Sequence, residues 1–110
     1  MDLSSIFGSE SAKNTLLYIE NYGRGYSAEI AETFGVSGSM IQKQLNKFEQ
    51  AGVLVATELG RIRVFEFNPR YPLLSELKAL LSALLELQSK EDTKKYFRKR
   101  KRPRKKGKPL

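Results

Sequence analysis

Two short amphipathic segments meet at Gly35, and that corner limits the fold more than any other feature of the 110 residues. Before it, Ile30, Ala31 and Phe34 give residues 27–34 one apolar face. Ser27 is placed to cap this helix, and Glu29 in its first turn suits the helix dipole. After the corner, Ile41, Leu45 and Phe48 fall at i, i+4 and i+7, again a single apolar stripe. Ser37 is a second cap candidate, opening a helix over 37–51 that Gly52 ends. Ala31 is small enough for two helices to approach, Gly35 supplies a left-handed turn at little steric cost, and Val36 plugs the gap.

The remainder surrounds this corner with consistent pieces. Ala12, Leu16, Leu17, Ile19 and Tyr22 make residues 11–22 an amphipathic helix, broken by Gly23, Arg24 and Gly25. Residues 53–58 and 61–67 are β-rich runs separated by Leu59 and Gly60, the pattern of a hairpin. Asn68, Pro69 and Pro72 punctuate the exit, and residues 73–87 form a leucine-rich helix. Helix, helix, tight turn, helix and hairpin in that order predict a winged helix-turn-helix. The expected class is mainly α with a small β-hairpin (α+β), with a C-terminal leucine-rich helix. The divisions expected are 1–72 for the winged unit, 73–92 for the last helix and 93–110 for a basic, largely disordered tail.

The run from Ser27, Ala28, Glu29, Ile30 and Ala31 to Ser37, and then from Ile41 to Leu54, resembles the ArsR/MarR-type winged helix regulators of bacteria and archaea. A subgroup of these opens as Ile6, Phe7, Gly8 and Ser9 do here, and closes on the equivalents of Asn68, Pro69 and Leu77. It includes stand-alone domains and domains placed ahead of a nucleotidyltransferase. The resemblance spans roughly residues 5–81 and implies a prokaryotic DNA-binding regulator, commonly dimeric. Metal-sensing members use Cys and His ligands; this chain has neither, so no metal and no cofactor are expected.

With Ile41, Leu45 and Phe48 turned to the core, Ser39, Gln42, Lys43 and Asn46 share the opposite face. A recognition helix needs such a face toward the major groove, although any solvated helix has a polar side. Gln42 and Asn46 match an adenine edge, and Lys43 suits guanine or a phosphate. Ser37 and Ser39 are placed to donate to a phosphate; Met40 either meets a thymine methyl or packs. Lys47 stands at the flank. Arg61 and Arg63 alternate on the second strand and are expected on one face, reaching phosphate or the minor groove, with Glu58 opposing them.

Charge is divided unevenly along the chain. Residues 1–92 hold 9 Lys/Arg against 12 Asp/Glu, a net −3, whereas residues 93–110 hold 11 Lys/Arg and no acid. Double-stranded DNA is therefore expected to meet a mildly acidic body through local placement, and a tail through bulk charge. Arg98, Lys99, Arg100, Lys101 and Arg102 are its densest run, suited to phosphates of nucleic acid or, less well, lipid head groups. Leu73, Leu77, Leu80, Leu84 and Leu87 step by 4, 3, 4 and 3, a heptad-like seam expected to form a homodimer. The alternative is that this helix packs wholly on its own domain.

Without cysteine or histidine, disulfides, thiolate metal sites and an imidazole base are excluded. No glycine loop for phosphates and no suggestive carboxylate pair supports an enzyme. The N-terminus lacks the order of a signal peptide, and no apolar stretch reaches about 18 residues, so a cytoplasmic, nucleoid-associated place is expected. Two other functions fit the same residues: an architectural or mobile-element protein coating DNA or RNA, and a protein-docking module.

Overall fold

A computed structural model describes residues 4–98. The elements run α1 (Ser4–Phe7), α2 (Glu10–Tyr22), α3 (Ser27–Phe34), α4 (Gly38–Gln50), β1 (Leu54–Leu59), β2 (Ile62–Phe67), α5 (Leu74–Glu86) and α6 (Lys90–Tyr96). The architecture is the expected α+β winged helix-turn-helix. Two short helices, α1 and α6, were not among the expectations, because a single turn or two carries too little periodicity to be seen.

Serine caps start two of the long helices. Ser9 caps α2, its hydroxyl accepting the Ala12 N–H at 3.0 Å. Ser37 caps α4 in the same way, accepting from Met40 at 3.2 Å. Ser27 does not cap α3 as its residue type led us to expect. Tyr26 takes the cap position without a side-chain bond, and the Ser27 hydroxyl instead donates to the Gly38 carbonyl at 3.0 Å. It thereby pins the start of α3 to the start of α4. Gly35 holds the corner between them at φ 69° and ψ 35°, left-handed backbone that L side chains rarely adopt. The Val36 N–H closes the corner on the Ala31 carbonyl at 3.1 Å.

The hairpin is antiparallel, with Leu59 opposite Ile62, so Gly60 and Arg61 are its two turn residues. The turn had been expected one residue earlier. A third segment joins the sheet: Gly25 and Phe65 exchange both backbone hydrogen bonds, at 3.1 and 2.8 Å. Gly25 has to be glycine for space rather than for φ. A Cβ there would lie 2.7 Å from a ring carbon of Tyr18 and 3.1 Å from the Ile30 methyl.

One core serves all the main elements. Leu16, Leu17 and Ile19 of α2, Ile30 of α3, Ile41 and Leu45 of α4, Phe65 of β2 and Leu81 of α5 pack together, all but removed from water. α5 lies along α2, reinforced by Lys78 on Glu20 at 2.8 Å. The leucine seam is therefore divided. Leu84 is buried within the chain's own core and Leu77 is half-buried against it, which takes Leu84 away from any partner. Leu73, Leu80 and Leu87 remain 59%, 37% and 75% exposed. The boundary expected at Thr93 falls inside α6, and the chain stays folded through Phe97, a buried residue.

Candidate nucleic-acid interface

α4 buries Ile41 and Leu45 and leaves its opposite face to solvent. Ser39, Lys43 and Asn46 are exposed on that face, and Gln42 is half-buried at one side of it. Gln42 Nε2 donates to Asn46 Oδ1 at 2.9 Å, one helical turn away. The two amides thus form a unit, and Gln42 Oε1 and Asn46 Nδ2 have no partner among the described residues. Together these offer one acceptor and one donor, the complement of an adenine's N6 and N7. Lys43 pairs with no carboxylate among the described residues. Ser37 spends its oxygen on the helix cap and lies 3.2 Å from the Ser39 hydroxyl, so the two share one hydrogen bond.

Beside Gln42, the N-terminal ends of α3 and α4 and the tip of the hairpin enclose an open groove of about 340 Å³. Tyr26, Ser27, Ala28 and Gly38 line one side, with Arg61, Ile62 and Arg63 opposite. Arg61, in the turn, is exposed and pairs with no carboxylate among the described residues.

The two wing arginines part company here. Arg63 Nη2 lies 2.9 Å from Glu49 Oε2 of α4 and its Nε lies 3.2 Å from Glu58 Oε2 of β1. Bonding to Glu49 raises its pKa further, so it is a fixed cation held between two carboxylates. Its charge is already offset, and the trio of Arg63, Glu49 and Glu58 keeps one net negative charge beside the hairpin. The expectation that Arg61 and Arg63 share a strand face fails because Arg61 belongs to the turn.

Lys47 also has a local partner. Its ammonium donates to the Phe7 carbonyl at 3.4 Å and stands 5.1 Å from the Phe48 ring. It holds α1 against α4. Met40 is 47% exposed on the other flank of α4 from Gln42. Arg98 is exposed just after α6, while Lys99, Arg100, Lys101 and Arg102 lie outside the described residues. The backbone and hydroxyls at Tyr26, Ser27 and Gly38 were missed from sequence. Nothing in their spacing signals that two helix starts converge beside a hairpin turn.

Among the described residues no group of three or more Asp, Glu, His or Cys is arranged to hold a metal ion. No helix among them is long and apolar enough to cross a membrane.

No family model and no curated protein matches the chain. Solved structures do. YusO of Bacillus subtilis is similar at 18% identity over 77% of this chain and 66% of its own, with a TM-score of 0.53. This chain thus spans just under two thirds of that protein. The antimony-specific transcriptional repressor AntR is 15% identical over 77% of this chain and 75% of its own, with a TM-score of 0.52. The adhesin competence repressor AdcR of Streptococcus pyogenes is 16% identical over 84% and 77%, with a TM-score of 0.50. At these identities the likeness is one of fold, and that fold is the winged helix.

Proposed function

We propose that the protein binds double-stranded DNA with sequence preference, as a small prokaryotic transcriptional regulator in the cytoplasm. The observation that carries this reading is the outer face of α4. Its Gln42 lines a groove whose far wall carries Arg61, and Asn46, which Gln42 bonds, and Lys43 are exposed on the same face. α4 enters the major groove, the amide pair reads an adenine edge, Lys43 takes a guanine or phosphate, and Arg61 takes the backbone or minor groove. Arg63 serves this arrangement indirectly, by fastening the hairpin to α4 through Glu49. Residues 1–92 carry a net −3, and Arg63 of the hairpin is already engaged by carboxylates, which favours a few placed contacts over a uniform coat. The repressors AntR and AdcR support the reading by fold alone.

A second copy of the chain completes it. Leu73, Leu80 and Leu87 recur every seven residues, and a partner's matching stripe would cover them. A dimer sets two α4 helices about 34 Å apart and calls for a pseudo-palindromic site. The basic run that follows Arg98 adds sequence-independent affinity.

Selection of duplexes from a random pool, followed by anisotropy titration, tests this. The triple substitution Gln42→Ala, Lys43→Ala, Asn46→Ala is expected to weaken the selected site at least tenfold, since one bidentate base contact is worth about 1–3 kcal/mol. Random duplexes should be affected far less. Equal affinity of both proteins for both duplexes would replace the regulator by a coating or docking protein.

A further inference from the structure

The outer face of α4 has two flanks, and the fold raises a wall on each. Met40 and Gln42 are about 200° apart around the helix. Gln42 faces the groove shared with the hairpin turn. Met40 lines a second cleft, of about 440 Å³, whose opposite side is Asp92, Tyr96 and Phe97. α6 is fastened there by long-range contacts. Tyr22 Oη donates to the Tyr96 carbonyl at 2.7 Å, and Asn21 Nδ2 to the Arg98 carbonyl at 3.3 Å. The rings of Tyr96 and Phe97 lie 5.1 and 5.8 Å from that of Phe34, at the end of α3.

Asp92 and Tyr96 take the face of α6 that meets the body. Another face carries Lys90 and Lys94, at i and i+4, and Arg98 follows just past the helix end. With Gln88 and Thr93 these three line an open groove of about 480 Å³, and no carboxylate lines it. None of the three cations forms an ion pair among the described residues. Arg98 Nε donates to the Lys94 carbonyl at 3.4 Å, which keeps the guanidinium beside the last turn. Lys90 and Lys94, like charges one turn apart, repel each other, a cost that a bound anion reverses. Every charged group in the groove is a donor, and two are ammoniums suited to phosphate as point charges. The sequence continues as Lys99, Arg100, Lys101 and Arg102, with the same sign.

We propose that the groove of Lys90, Lys94 and Arg98 binds the phosphodiester backbone of duplex DNA, so that α6 acts as a second wing on the Met40 flank of α4. This rests on the reading of α4 as a DNA-recognition helix. The contact is sequence-independent.

The test is anisotropy binding of the full-length protein to a random-sequence duplex across a salt series. Each phosphate contact adds about 0.9 to the log–log salt slope. Lys90→Ser, Lys94→Ser and Arg98→Ser together are expected to lower the slope by about 2.7, with the thermal midpoint by circular dichroism preserved. Arg70→Ser, which removes an exposed, unpaired cation elsewhere, is the control and should leave the slope unchanged. An unchanged slope in the triple variant overturns the proposal while leaving the role of α4 intact. So does an equal loss per charge with Arg70→Ser, which would reduce the groove to diffuse charge. Binding that depends on these three cations and is tighter to single-stranded RNA, or to phosphatidylserine vesicles, overturns it in favour of that partner. Failure of the unaltered protein to bind any duplex at low salt fails the DNA reading itself.

Discussion

α4 and α5 are both thirteen residues long, and each buries two large aliphatic side chains completely or nearly so: Ile41 and Leu45 in one, Leu81 and Leu84 in the other. Both lean on α2. Their inner faces are interchangeable in kind, and their outer faces are opposites. α4 turns out serine, lysine and amides. α5 turns out Leu80, with Leu73 and Leu87 at its two ends, among Glu76, Ser82 and Glu86. A buried stripe makes a helix part of the domain, and the face left over says what kind of partner the domain meets. Donors and acceptors suit the edges of bases; a leucine stripe every seventh residue suits another leucine stripe.

The inner faces should break first and equally. Leu45→Ala and Leu81→Ala are each expected to cost about 2–5 kcal/mol in denaturant unfolding, the range for emptying a full aliphatic site. A much smaller loss for Leu81→Ala would show that α5 is peripheral and dissolve the comparison. The outer faces should then separate by readout. The substitutions at Gln42, Lys43 and Asn46 are expected to lower DNA affinity while shifting stability by no more than about 0.5 kcal/mol each. Leu80→Glu with Leu87→Glu should leave the fold intact and abolish self-association in sedimentation velocity. If the unaltered protein sediments as a monomer, the outer face of α5 has another use.

The smallest effect concerns α2, on which both helices rest. Burial, and after it the Glu29 carboxylate, push the Tyr18 phenol above its ordinary value of 10.0. The folded state therefore keeps its proton where the unfolded state gives it up. Stability from this group is complete below about pH 10 and lost as pH rises above it, by up to about 1.4 kcal/mol per pH unit. Tyr18→Phe should flatten that alkaline decline. An equally steep decline in the variant would assign it to other groups.

Much of this is legible in the sequence. The Gly35 corner, the Ser37 cap, the hairpin and the leucine helix follow from turn chemistry and apolar period, which act over four to eight residues. The fates of individual cations were not legible. Arg61 and Arg63 look alike in sequence, yet among the described residues one pairs with no carboxylate and the other is held by Glu49, fourteen residues away. Lys47 resembles Lys43 until α1 arrives beneath it, forty residues distant in the chain. Tyr96 and Phe97 read as two aromatics inside a basic run, whereas they fasten that run to α2 and α3.

The sequence by itself determined the order of the main elements and which stripe of each long helix is apolar, because backbone preference and hydrophobic period are local properties. Only the tertiary structure decided which leucines the core claims, which cations are already neutralised, and that α6 stands opposite the wing across α4. Those outcomes depend on side chains far apart in the chain meeting at ångström distances, and no local pattern encodes that meeting.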